Sequence, residues 1–102
     1  MAASKIIALD FEVFGTVQGV FFRKFTEETA NKFNVRGWCM NTRDGTVKGQ
    51  IEGEEPKINL MKEWLSKTGS PQSTIEKTVF SEPKHLTDYT FDKFEIRRFS
   101  KK

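Results

Sequence analysis

Two short stretches hold the residue types from which a reaction centre could be built. The first is Gly15-Thr16-Val17-Gln18-Gly19-Val20-Phe21-Phe22-Arg23. It falls where a strand-like pattern gives way to a helix-like one. Two glycines four apart open backbone conformations closed to other residues. Successive amide N–H groups entering a helix N-terminus carry partial positive charge and suit an anion. Arg23 falls in the first helical turn, where a cation is slightly unfavourable. A bound anion would supply the reason, since arginine can hold two oxygens of a phosphate at once. The same residues also suit a plain tight turn with a surface arginine. The second stretch is Gly37-Trp38-Cys39-Met40-Asn41-Thr42, followed by Gly45, Val47 and Gly53. Asn41 offers a donor and an acceptor. Taken alone, it reads first as an asparagine bonding its own turn.

Known nucleotide motifs do not fit the first stretch. No Gly-Lys-Ser/Thr follows it, and the G-x-G-x-x-G spacing is absent. The reactive inventory is small: one cysteine (Cys39) and one histidine (His85). An internal disulfide is impossible, a Cys/His zinc site lacks ligands, and a reducing compartment fits. Cys39 reads as a packing residue and His85 as part of a polar loop. Glu54 and Glu55 read as helix-start acids rather than a catalytic pair.

Charge argues against nucleic acid. The formal net charge is +3, but the last six residues carry four of the 17 basic side chains and no acid. The preceding 96 residues hold 13 basic against 14 acidic side chains. An RNA-recognition module would need aromatics at fixed strand positions, and Thr46 to Gly53 has none. A domain that binds phosphorylated metabolites without turning them over is the other alternative. No apolar run approaches the roughly 20 residues that span a membrane, and residues 1–5 lack a signal-peptide core. The expectation is a cytoplasmic monomer with no nucleic-acid or membrane partner.

The elements that must carry these stretches follow from periodicity. The 102 residues include ten Phe, two Trp and Tyr89, enough for one modest core, with about 65% of the unfolded surface buried on folding. Ile7, Leu9, Phe11 and Val13 alternate with polar neighbours and predict a strand ended by Gly15. Phe22, Phe25, Thr29 and Phe33, with Ala30, predict a helix face, with Asn34 able to take a left-handed C′ position. Asp44-Gly45 between two strand-like runs predicts a hairpin. Glu54-Glu55-Pro56 starts a second helix, striped by Ile58, Met61 and Leu65 with Leu60 and Trp64 beside them, and Gly69 and Pro71 stop it. A strand over 75–80, a loop over 82–90 and a last strand within 91–99 complete the order β-α-β-β-α-β-β. The economical arrangement is an α+β, ferredoxin-like α/β sandwich, a five-stranded antiparallel sheet with two helices packed on one face.

Gly15-x-Val17-Gln18-Gly19-Val20-x-Phe22-Arg23 resembles the first signature of the acylphosphatase family. Gly37-Trp38-Cys39-x-Asn41-x-x-x-Gly45-x-Val47 followed by Gly53 resembles the second. The likeness runs on through Trp64-Leu65-Ser66-Lys67 and Gly69-Ser70-Pro71 to Ile96-Arg97, and is closest to the small animal acylphosphatases. It implies one domain over residues 1–102 that hydrolyses acyl phosphates to a carboxylate and inorganic phosphate, the latter an expected competitive inhibitor. It implies that Arg23 and the backbone amides of Val17, Gln18, Gly19, Val20, Phe21 and Phe22 hold the phosphoryl group. It implies that Asn41 positions the attacking water, with no metal, no cofactor and no phosphoenzyme. Thr16 stands where many relatives carry a basic residue, which leaves the loop mouth less positive. The reaction suits the inventory. An acyl phosphate already has a carboxylate as its leaving group, so positioning and charge stabilisation can carry catalysis without a strong base.

Overall fold

A computed structural model describes residues 5–98. Residues 1–4, and Lys101 and Lys102 of the basic C-terminal cluster, lie outside the described residues. Six strands form one sheet: β1 (Ile6–Thr16), β2 (Arg36–Asn41), β3 (Val47–Glu54), β4 (Thr74–Phe80), β5 (Lys84–Leu86) and β6 (Phe94–Ile96). Two helices complete the fold, α1 (Phe22–Lys32) and α2 (Glu55–Glu63), the second running into a wider turn over Trp64–Thr68. The sheet order is β4-β1-β3-β2-β6, with β5 pairing the start of β1.

The alternation along β1 places Ile7, Leu9, Phe11 and Val13 in the core. Val47 and Ile51 of β3, Cys39 of β2 and Phe94 of β6 share that face. Against it α1 lays Phe22 and Ala30, and α2 lays Ile58 and Met61, continued by Leu65. The apolar stripe of α2 is therefore as periodicity requires, except that Leu60 is exposed. On α1 the fully buried positions are Phe22, Thr26 and Ala30, while Phe25 and Phe33 are only half-buried. Thr26 is tolerated because its hydroxyl donates to the Phe22 carbonyl at 2.7 Å. Asn34 takes the left-handed conformation, φ 59°, in keeping with an Asn after a helix end.

The sheet departs from the antiparallel five-stranded expectation in two ways. Residues 84–86, expected to be loop, form β5 by pairing with Ile6–Ala8 of β1. More consequentially, β6 pairs with β2 in parallel, so the sheet is mixed. Alternation within a strand reports which face is buried but not which neighbour it meets or in what direction. The parallel pairing sends the chain after β6 toward the end of the sheet that Asn41 occupies. The ladder continues there, Arg97 donating its backbone N–H to the Cys39 carbonyl at 2.8 Å.

The loop that makes this return possible is held by Glu52, which is 1% exposed. Its carboxylate accepts from the backbone N–H of Thr90 (2.7 Å) and of Phe91 (2.7 Å) and from the Thr90 hydroxyl (2.8 Å). Arg36 adds a hydrogen bond to the Phe91 carbonyl at 3.1 Å and stacks on Tyr89, 3.8 Å from the ring centroid. Hydrogen bonds to a charged acceptor are each worth about 1.5–3 kcal/mol, and buried donors left without one are costly. Glu52→Ala should therefore lower unfolding free energy by about 2–4 kcal/mol. A urea midpoint within error of the parent would show that the carboxylate does not anchor this loop.

Candidate active site

The C-terminal ends of β1, β2 and β6 reach the same edge of the molecule, and a cleft of about 320 Å³ opens between them. Val17, Gly19, Phe21, Phe22, Arg23, Lys24, Asn41, Ile96 and Arg98 line it. Among the described residues the lining carries three cations and an amide, and neither a carboxylate, an imidazole nor a thiol. Among the described residues no three His, Cys, Asp or Glu side chains are grouped so as to hold a metal ion.

Gly15 does not end β1 but bends it. At φ 133° it shifts the register against β4, and a side chain there would run into the Thr74 carbonyl. The strand then leaves the sheet as the loop that enters α1. None of the described hydrogen bonds is donated by the backbone N–H groups of residues 17–22. The loop that carries them leads into the N-terminus of α1, a position that favours an anion. Arg23, on the first turn of α1, is half-buried and makes no hydrogen bond or ion pair among the described residues. Its guanidinium has five donors in a planar fork.

Asn41 closes the other side of the cleft, at the end of β2. Its side-chain oxygen is the one buried side-chain polar atom without a hydrogen-bond partner among the described residues. The turn it was expected to bond is bonded by Thr42 instead. The Thr42 hydroxyl accepts the backbone N–H of Asp44 and of Thr46, each at 3.2 Å. The Thr46 hydroxyl donates to the Glu12 carboxylate at 2.6 Å. Its proton is thereby committed, so Thr42 is the donor in the 2.7 Å pair between the two hydroxyls. The hairpin turn is satisfied from within, and the Asn41 amide is left facing the cleft.

Of the six residues expected to present amides, Val17, Gly19, Phe21 and Phe22 line the cleft, while Gln18 and Val20 fix the loop from either side. The Gln18 side-chain amide donates to the carbonyls of Thr42 and Thr46, both at 2.9 Å. The Val20 carbonyl accepts from the Ser70 hydroxyl at 2.8 Å, and Ser70 is 1% exposed. The side-chain role of Gln18 and the part played by Ser70 have no signature in local patterning, because their partners lie 24 to 50 residues away. Arg98, which enters the cleft through the parallel return of β6, likewise has none.

Acylphosphatase is the family whose model matches residues 9–96. This chain belongs to the acylphosphatase family. It is 52% identical over 96 residues to Acylphosphatase-2 of Meleagris gallopavo, covering 94% of this chain and 93% of that one. It is 50% identical over 95 residues to Acylphosphatase-2 of Homo sapiens, covering 93% and 96%. Among solved structures, an acylphosphatase from Coxiella burnetii superposes with a TM-score of 0.82 at 27% identity, covering 95% of this chain and 100% of that one. This acylphosphatase chain therefore shares both the fold and the sequence of an enzyme family, and no helix among its described residues is long and apolar enough to cross a membrane.

Cys39 of β2 is not among the residues that line the cleft. It is fully buried, and burial pushes its thiol up from 9.0 to about 12, the nearby Arg23 charge pulling it down and Glu27 adding to the rise. A thiol held protonated is a poor nucleophile. Because the unfolded thiol ionises earlier, its stabilising contribution is fully present below about pH 9 and is lost as pH rises toward 12. At pH 8 the native acylphosphatase should leave Cys39 unlabelled by Ellman's reagent over hours, and release one thiol per chain in denaturant. Prompt native labelling would contradict this burial.

Proposed function

We propose that this acylphosphatase cleaves the carboxyl–phosphate bond of acyl phosphates by an in-line attack of water, with Arg23 and Asn41 in separate roles. The observation that carries the reading is the pairing of an unpartnered, half-buried Arg23 with an orphaned Asn41 oxygen across one small cleft. Arg23 and the free N–H groups of residues 17–22 bind the phosphoryl oxygens and stabilise the charge that gathers there as the P–O bond breaks. The Asn41 oxygen accepts a hydrogen bond from the attacking water and holds it opposite the leaving carboxylate.

The water oxygen bonds to phosphorus as the carboxylate departs with the bonding pair. The water's proton passes to a phosphoryl oxygen, since among the described residues the cleft lining contains no carboxylate or imidazole to receive it. The carboxylate leaves without protonation. The cation and amide lining supports a metal-independent reaction, in which fixed N–H donors and Arg23 supply the charge a Lewis acid would otherwise provide. Inorganic phosphate, as product, occupies the same donors and competes with substrate.

The two roles separate by mutation. Arg23→Gln should lower kcat by about 10²–10³-fold, the usual cost of removing an aimed donor, and weaken phosphate inhibition as well. Asn41→Ala should lower kcat by a similar factor while phosphate still inhibits with nearly its original constant. Both are read from the loss of benzoyl phosphate absorbance, with and without a chelator. Near-normal turnover in Asn41→Ala would remove the water-positioning role, and loss of activity on chelation would remove metal independence.

A further inference from the structure

The residue that opens α1 is poorly chosen for stability. Phe21 is the N-cap and lies in the left-handed region, φ 60° and ψ 24°. Glycine and asparagine visit that region routinely, and other residues do so at a cost. The same helix is followed by Asn34 in that conformation, a residue suited to it. Phe21 also makes no side-chain cap hydrogen bond, in a position that favours Asn, Asp, Ser or Thr. Its ring is 66% exposed, more than any other large hydrophobic side chain among the described residues. Three unfavourable choices coincide at one position, and that position is on the cleft. Strain of this kind persists where function uses it.

The rim of the cleft indicates the use. Val17 and Phe22, both 1% exposed, form the floor, whereas Gly19, Phe21, Lys24 and Arg98 are exposed. A side chain at position 19 would meet nothing within 4 Å, so the loop mouth is open there. If the phosphoryl group sits on the loop amides and Arg23, the acyl part of the substrate must lie across this rim. Among the described residues Phe21 is the only apolar side chain exposed on it, with the half-buried Ile96 across the cleft.

We propose that Phe21 is an acyl-group specificity residue, whose ring packs against an aryl acyl group and so favours aromatic over small aliphatic acyl phosphates. The proposal rests on the phosphoryl-binding reading of the cleft given above. Ring–ring packing contributes beyond the area it covers, and a methyl group cannot reproduce it. The contact is made equally in the bound substrate and in the transition state, so its loss falls on KM rather than kcat.

Phe21→Asn tests this while suiting both the backbone conformation and the cap. Steady-state kinetics on benzoyl phosphate and acetyl phosphate should show the benzoyl-to-acetyl ratio of kcat/KM falling about fivefold, with the loss carried by the KM for benzoyl phosphate. Phe21→Tyr, which keeps the ring, should retain the ratio. The melting temperature of Phe21→Asn should rise by several degrees, as a strained and uncapped position is relieved. An unchanged ratio overturns the proposal. So does an equal loss on both substrates accompanied by a lower melting temperature, which would make Phe21 a structural residue. Parent protein that hydrolyses neither substrate would overturn the reading of the cleft itself, and the proposal with it.

Discussion

One side-chain amide joins the two sides of the cleft. The loop of residues 17–22 and the hairpin that bears Asn41 continue from β1 and β2, which do not pair with each other because β3 lies between them. The ladders to β3 fix their spacing only as far as Val13 and Asn41, both opposite Val47, and among the described residues no strand pairing reaches the loop beyond Thr16. Gln18 ties that loop to the hairpin, donating its side-chain amide to the carbonyls of Thr42 and Thr46. Those carbonyls are themselves fixed, since Thr42 and Thr46 are joined through their hydroxyls and anchored to Glu12 on β1. A hydrogen-bonded circuit therefore runs from β1 through the hairpin to the loop and back. Within it every donor has a defined acceptor, which leaves the loop N–H groups, Arg23 and the Asn41 oxygen as the groups still to be satisfied.

Leaving those groups unpaired costs stability, and the fold offsets that cost elsewhere. A buried carbonyl oxygen without a partner costs about 1–3 kcal/mol, and a cation in the first turn of a helix works against the dipole. Such a site has to be imposed by its surroundings. The Gly15 bulge against Thr74, the Ser70 hydroxyl on the Val20 carbonyl and the packing of Phe22 on Trp64, with ring centroids 5.5 Å apart, all hold the loop in a shape it would not adopt alone. Among the described residues the framework around the cleft is otherwise satisfied, and the reading proposed above uses the spared donors as a preorganised site.

The mixed sheet belongs to the same economy. Had β6 run antiparallel to β2, the residues after it would emerge at the far end, beside the start of β2. The parallel register brings Ile96 and Arg98 to the cleft. That register needs a long return over the outside of the sheet, and the buried carboxylate of Glu52 secures it. In sequence Glu52 is only the polar partner in an alternating strand. Its burial comes from a loop nearly forty residues later that folds over it.

Local order determined a great deal. The alternation of β1 and β3, the stripe of α2, the Asp44-Gly45 turn and the glycine-bearing loop before Arg23 were all readable, because each arises from interactions within a few residues or from one face meeting an apolar layer. Arg23 and Asn41 were visible as residue types at suggestive positions, though Asn41 taken alone read as a turn residue. What the tertiary structure decided is everything that depends on a distant partner. It gave the turn's hydrogen bonds to Thr42 and so freed Asn41. It added β5, turned β6 parallel, buried Glu52, set Gln18 across two strand ends and left the Phe21 ring in solvent at the rim. Periodicity records how a residue relates to its own element, whereas direction, partnership and exposure are settled only when elements far apart in the chain compete for the same donors, acceptors and surface.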